Sequence, residues 1–382
     1  MSNLDYDAVI AGGGLSGLSL AAHLAAHGWR GRRVLLVDDV AARPVAVSWG
    51  FWSDRPGLLD DAVSHSFDRV RLRAAGTDRT LPLGRYRYRV VRRPDLDRVV
   101  RWMLLRCRGF EIRSGRVEGV GDGADAAETT VDGQVLRSRW AFDSVSREPD
   151  AGPVDARLAF TGLEVACDRP RFDREVPTLF DFRPSATGGA RFVYVLPQDP
   201  CRALVELTEF VPRSGQPTPI AARTADVTAY LRDVVHCDGY RILRTESAVV
   251  PLRSRPPLRR RGRRVLAIGA RAGLIKASTG YAYQRIQRDS AAIASSLVRH
   301  GHPFDGPRPR RRHRLLDAVL LEVLDRDPSR LEETFARLFA ANPVDRVLRF
   351  LDEDTSVGDE LRLIASLPPA PFLRASAATL AR

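Results

Sequence analysis

Residues 5–28 read DYDAVIAGGGLSGLSLAAHLAAHG, followed by WRG at 29–31 and RRVLLVDD at 32–39. Ala8 to Ala11 is a short apolar run ending in glycines, Leu15 to Ala26 has helical composition, and Val34 to Val37 is a second buried-strand run closed by acids. The order predicted is strand, glycine turn, helix, strand. Gly12, Gly14 and Gly17 fall in the G-x-G-x-x-G spacing. The three glycines answer to the tight turn, the approach of a pyrophosphate to backbone, and close helix–strand packing. A helix beginning at Leu15 presents unpaired N–H groups to a phosphate. Asp38 ends the second strand, where a carboxylate accepts hydrogen bonds from ribose hydroxyls and disfavours a 2′-phosphate.

The remaining chain needs more than this unit. With 382 residues, 44% hydrophobic and 28% charged, it is long enough for two lobes and an appendage. The net charge of +13 suggests a polyanion partner until its make-up is inspected: Lys276 is the single lysine among 60 basic residues. The arginines cluster at Arg259–Arg264 and Arg308–Arg314 beside prolines, without aromatics for base stacking. They read as solvated loops or contacts to anionic lipid headgroups, and no nucleic-acid partner is expected. Cys107, Cys167, Cys201 and Cys237 are scattered without C-x-x-C spacing, which fits a reducing cytoplasm. His23 and His27 stand four apart, but no third ligand is evident and no metal is expected. Residues 8–29 carry no formal charge, yet the glycine turn assigns them to the nucleotide unit rather than to a membrane-spanning helix.

Along the chain, Trp49, Phe51 and Trp52 crowd four positions, as core or as the wall of an apolar pocket. An amphipathic helix is expected from Pro94 to Arg106, and Trp140–Phe142 as a strand returning to the nucleotide sheet. From Phe160 to Glu246 the periodicity favours antiparallel sheet. In Ala203–Phe210, alternation places Leu204, Glu206, Thr208 and Phe210 on one face and Val205, Leu207 and Glu209 on the other. Thr224–Val235 reads as a helix capped by Thr224. A second glycine turn, GARAGLIKASTGYAY at 269–283, follows the strand run Val265–Ile268.

These residues carry a resemblance. The chain is similar over nearly its whole length to the bacterial lycopene β-cyclases, through GGGLSGLSLA at the start, TLFDFR (178–183), RFVYVLP (191–197), ALVELT (203–208), KASTGYAYQRIQ (276–287) and LRFLDEDT (348–355). The resemblance implies an α/β fold: a glutathione-reductase-like Rossmann lobe for FAD, an antiparallel-sheet substrate lobe and a helical C-terminal region. The lobes are expected at 1–45, 86–147 and 246–300 for FAD, at 46–85 and 148–245 for substrate, and at 301–382 for the helices. FAD is expected on Gly12, Gly14, Leu15, Gly17, Asp38, Gly269, Thr279 and Gly280. Reduced FAD would assist without net redox change, with NAD(P)H as its candidate reductant. An apolar carotenoid or prenyl substrate would meet Trp49, Phe51, Trp52, Tyr194 and Tyr281, and Glu206, the acid of the ALVELT stretch, would be catalytic. A bilayer-resident substrate implies peripheral attachment to the inner face of the membrane from the cytoplasm.

There are two departures: GARAGL (269–274) replaces the family's small G-T-A-G-G run and introduces Arg271, and Ala248 stands where glycine is common. The alternatives are a cyclase of another prenyl chain, a flavin-dependent monooxygenase or halogenase, and a non-catalytic carrier. The monooxygenases usually carry a G-D-A/H-P segment, and this chain lacks its acid.

Overall fold

The architecture follows from two kinds of strand, fully apolar runs that need cover on both faces and alternating runs that need it on one. The computed structural model describes residues 4–29, 31–39, 47–74, 76–145, 153–183, 190–306 and 310–380. Its first part contains β1 (Tyr6–Ala11), α1 (Leu15–Ala26), β2 (Val34–Asp38), β3 (Ser48–Ser53), β4 (Val63–Phe67), β5 (Arg69–Ala74), β6 (Thr77–Pro82), β7 (Arg87–Arg92) and α2 (Arg93–Leu105). Then come β8 (Phe110–Ser114), β9 (Val117–Asp122), β10 (Ala127–Val131), β11 (Gln134–Asp143), β12 (Ala156–Cys167), β13 (Thr178–Asp181), β14 (Ala190–Asp199) and β15 (Arg202–Pro212). The chain continues through α3 (Ile220–Asp233), β16 (Tyr240–Leu252), β17 (Val265–Ala267) and α4 (Tyr283–His300). It closes with α5 (Arg311–Arg326), α6 (Arg330–Ala341), α7 (Val344–Leu351), α8 (Val357–Ala365) and α9 (Pro369–Leu380).

The first sheet has β8, β2, β1, β11 and β17 side by side and parallel, while β10 and β9 extend its edge antiparallel. One face packs on α1, α2 and α4 through Leu18, Val100 and Ile293. The second sheet has the order β16-β12-β15-β14-β13-β5-β6, antiparallel except where β13 meets β5. Its Val205 and Leu207 face packs on Val227 and Leu231 of α3. The opposite face packs in part on the C-terminal helices, where Phe335 lies 5.1 Å from Phe180, centroid to centroid. A small antiparallel sheet, β3-β7-β4, completes the strands. This is the α/β plan of a Rossmann lobe, an antiparallel second lobe and a helical C-terminal region.

Several sequence expectations need correction. Residues 246–252 belong to β16, paired along its length with β12, so the second sheet runs past the boundary expected at 246. The boundaries at 45/46 and 147/148, and part of the Arg308–Arg314 cluster, lie outside the described residues. Helix α3 starts at Ile220 after Pro219, and the Thr224 hydroxyl donates to the Ile220 carbonyl inside the helix. Proline pre-sets the dihedral that opens a helix, which moves the start upstream. Cys167 and Cys237, 70 residues apart, form a disulfide as the chain leaving α3 passes the end of β12; Cys107 and Cys201 are free. That pairing removes the scattered-thiol argument for a reducing compartment. No helix among the described residues is long and apolar enough to cross a membrane, and no acidic, histidine and cysteine group there could hold a metal.

The chain's single lysine is buried at the join of the lobes. Lys276 Nζ lies 2.8 Å from Asp317 Oδ1 on α5 and 3.5 Å from Glu353 Oε1. Arg285 of α4 also pairs with Glu353. The segment after β17 is thereby fixed to the C-terminal helices by charges that lose their partners if either side moves.

Candidate active site

The G-x-G-x-x-G turn is shaped by contacts that exclude side chains. Gly12 has φ +102°, and a Cβ at Gly17 would overlap the Gly12 carbonyl oxygen. Gly14 differs, because no atom lies within 4 Å of its would-be Cβ. That open side belongs to a cavity of about 1290 Å³ lined by Gly12, Gly14, Leu15 and Asp38 at one end. Gly13 had no assigned role in the sequence, yet a Cβ there would run into the Asp38 carboxylate. Arg93 Nη2 donates to the Gly13 carbonyl at 2.6 Å, bracing the turn from α2. An open glycine backbone at a helix start and a carboxylate beside it suit the pyrophosphate and ribose of a dinucleotide.

The same cavity runs on past Ala270, Thr279 and Gly280 to the second sheet. Gly269 sits behind this wall, with a left-handed φ of +64°, and a Cβ there would run into the Ser16 hydroxyl. Arg271 turns away from the cavity: its Nε lies 3.3 Å from Asp143 Oδ2, so the departure from the family's small run is absorbed by a buried ion pair. The turn between β8 and β9, Gly115 and Arg116, and the start of β9, Val117 and Glu118, also line the cavity. Their sequence carries no local signal for that placement.

At the far end lie Trp49, Tyr194, Tyr281 and Glu206, together with Tyr88, Glu246 and Leu204. Phe51 and Trp52, expected on this wall, are placed behind it. Phe51 stacks on Tyr283 at 3.9 Å, and Trp52 is buried with its indole N–H donating to the Leu348 carbonyl. Strand alternation sends Trp49 and Phe51 to the same side, but the stacking partner from α4 takes Phe51 into the core.

The cavity face of the second sheet carries Leu204, Glu206 and Thr208, with Val205 and Leu207 on the face toward α3. Glu206 on β15 and Glu246 on β16 are both registered to Gly162 on the intervening strand β12. With no side chain at Gly162, the two carboxyl groups hydrogen-bond to each other. Burial pushes Glu206 well above the usual carboxylate range, and the charge and hydrogen bond of Glu246 push it further. Burial also raises Glu246, opposed by the hydrogen bond from Glu206 and by Arg244. Arg244 Nη1 is 2.9 Å from Glu246 Oε2, and its Nε is 2.6 Å from Glu164 Oε2. Of the pair, Glu206 is therefore the one that holds a proton more tightly. Tyr194 and Tyr281 meet hydroxyl to hydroxyl at 3.3 Å, and Tyr281 is also hydrogen-bonded to Tyr88. Burial keeps all three phenols protonated beside Glu206.

The family profile described as Lycopene cyclase protein matches residues 7–377. The chain belongs to that family. Among curated relatives it is 25% identical to the lycopene beta-cyclase of Pantoea ananas over 259 residues, covering 64% of this chain and 65% of that one. It is 24% identical to the chloroplastic neoxanthin synthase of Solanum tuberosum over 319 residues, covering 77% of this chain and 61% of that one. The chain thus spans less than two thirds of these relatives. Solved structures share the fold at low identity. A geranylgeranyl bacteriochlorophyll reductase-like protein of Thermoplasma acidophilum superposes with TM-score 0.66 at 13% identity, over 97% of this chain and 98% of that one. A flavoprotein/dehydrogenase of Cytophaga hutchinsonii gives 0.64 at 11%, over 98% of each chain. A halogenase in complex with phloroglucinol and FAD gives 0.57 at 13%, over 98% of this chain and 91% of that one. The lycopene cyclase family chain thus has a fold that flavoproteins share.

Two glycine substitutions separate ligand contact from packing. Gly14→Val should purify without flavin and melt like the flavin-stripped wild type, because its side chain enters only the cavity. Gly17→Ala should lower stability by about 1–3 kcal/mol, the usual cost of overpacking. Thermal melts and the flavin absorbance of both purified proteins check this; flavin retained by Gly14→Val would contradict it.

Proposed function

We propose that the protein converts the linear end groups of a carotenoid such as lycopene to β-rings by proton-initiated carbocation chemistry, with no net oxidation. The observation carrying this reading is a buried carboxyl, Glu206, whose hold on its proton is strengthened by burial, facing a cavity walled by apolar and tyrosine side chains and continuous with a dinucleotide-type glycine turn. Membership of the lycopene cyclase family supports it.

The chemistry starts with proton transfer from Glu206 to the terminal trisubstituted alkene, giving a tertiary cation. The internal alkene attacks it, closing a six-membered ring. Loss of a ring proton then gives the β-end group, so atoms and charge balance without reductant or oxidant. Burial raises the acidity threshold at which Glu206 gives up its proton, which keeps the acid loaded at neutral pH. The rings of Tyr88, Tyr194 and Tyr281 are electron-rich surfaces near that proton, suited to holding a cation that water would quench. Gly12, Gly14, Leu15 and Asp38 would hold FAD, with Thr279 and Gly280 on the same wall. Reduced FAD, when bound, would supply a further electron-rich surface without being consumed.

A carotenoid resides in the bilayer, so this reading includes peripheral membrane contact. Val357, Leu361 and Ile364 are exposed on α8 at spacings that share one helix face, and Leu373 is exposed on α9. Sedimentation with vesicles should fall when Leu361→Asp is introduced; unchanged sedimentation would exclude this face as the contact.

Glu206→Gln preserves shape but removes the transferable proton. Flavin binding should persist while ring formation in a lycopene-supplied assay falls by at least about 10²-fold, the scale of losing a general acid. Glu209→Gln should keep most activity, since Glu209 points away from the cavity and binds Arg191 and Thr218. Full activity in Glu206→Gln would remove the proton-transfer reading.

A further inference from the structure

Gly162 is an oddity on its strand. It stands in the middle of β12, a 12-residue strand paired on both sides, with β15 and with the edge strand β16, where glycine packs nothing and costs conformational entropy. Its would-be Cβ lies 3.1 Å from Glu246 Cγ and 3.3 Å from Glu206 Oε2. The missing side chain is therefore the space in which two acids from the flanking strands meet. Two buried carboxyls in contact are costly unless one proton is shared and the remaining charge is compensated.

The compensation is concentrated on one side, because Arg244 touches Glu246 and acts on Glu206 only through its charge, the weakest of the influences on that group. Glu246 accepts from Arg244 on its own strand and from the backbone N–H of Ser48 at the start of β3. Arg244 is in turn fixed by Glu164 on β12 and donates to Ser48 Oγ at 3.1 Å. Glu206 is faced from β14, β7 and the segment before α4 by the neutral hydroxyls of Tyr194, Tyr88 and Tyr281. Cationic contact at Glu246 and neutral contact at Glu206 fix which carboxyl is ionised.

We propose that Glu246 is the positioning residue that loads Glu206: anchored by Arg244 and Ser48, its carboxylate meets Glu206 through the gap at Gly162 and holds the proton on the cavity-facing acid. The proposal rests on Glu206 being the proton donor in cyclisation. After Glu206 gives its proton to the alkene, the pair carries two negative charges, a state that favours reprotonation of Glu206; the ring proton is lost to the site and exchanges with solvent between turnovers, which resets the donor. Glu246 also lines the cavity, but its carboxylate is held by Arg244 and Ser48 and gives no proton to the chain in this scheme. Its role is exerted through Glu206.

The test reads protonation directly. In the purified protein, the infrared band of a protonated carboxyl that disappears in Glu206→Gln is followed against pH. In Glu246→Gln the neighbouring negative charge is gone and an amide donor takes its place, so the midpoint of this band should fall by at least about one pH unit, a tenfold weaker hold on the proton. The high-pH limb of the cyclisation profile should move down with it. Gly162→Ala wedges the carboxyls apart while both remain, and the same downward shift is expected there, so a misfolded Glu246→Gln does not remove the test. An unmoved midpoint in the folded variants would overturn the proposal. The activity of Glu206→Gln speaks to the acid reading alone and the band midpoint to the pairing alone, so the two fail separately.

Discussion

A carboxyl holds its proton more tightly where water is scarce, and more tightly still where another negative charge is close, and here both conditions depend on strand register. The pairing of β12 with β15 and β16 sets Glu206, Gly162 and Glu246 in one row across the sheet. A slip of one residue on either side would send one glutamate to the α3 face, since successive side chains alternate. That register is held by packing away from the site, through Leu163, Val165, Val205 and Leu207 beneath α3. The apolar face of the sheet is thus what aims the acid on the other face.

The cavity needs a second constraint, because its walls come from separate parts of the chain. Thr279, Gly280 and Tyr281 lie on the segment between β17 and α4, and Lys276 and Arg285 bracket it. Both basic residues converge on Glu353, and Lys276 also binds Asp317. The stretches KASTGYAYQRIQ and LRFLDEDT, far apart in sequence, are therefore two halves of one buried ion cluster. The C-terminal helices act through this cluster as a brace on the wall that carries Tyr281.

Much of this was legible from residues alone, for local reasons. The β1–α1–β2 unit declares itself because each glycine and apolar run answers to a neighbour close in sequence. The Glu206 face is readable because alternation needs only one strand. Glu246 was not readable as a site residue: its partner is 40 positions away, and the gap that joins them is a glycine on a third strand. The aromatic cluster failed for a different reason. Trp49, Phe51 and Trp52 have similar composition whether they line a cavity or fill a core, and the partners that decide, Tyr283 and the Leu348 carbonyl, are more than 200 residues downstream. The Cys167–Cys237 pair was hidden likewise, by a separation that only the packing of α3 closes.

The proposed reaction of this lycopene cyclase family member moves protons and not electrons. The most direct measurement runs the flavin-reduced protein on a linear carotenoid in deuterated water and determines both label and consumption per ring formed. One deuterium is expected in each new ring, with neither oxygen nor NAD(P)H consumed in proportion to rings. Rings without deuterium, or one oxygen or one reductant spent per turnover, would contradict it.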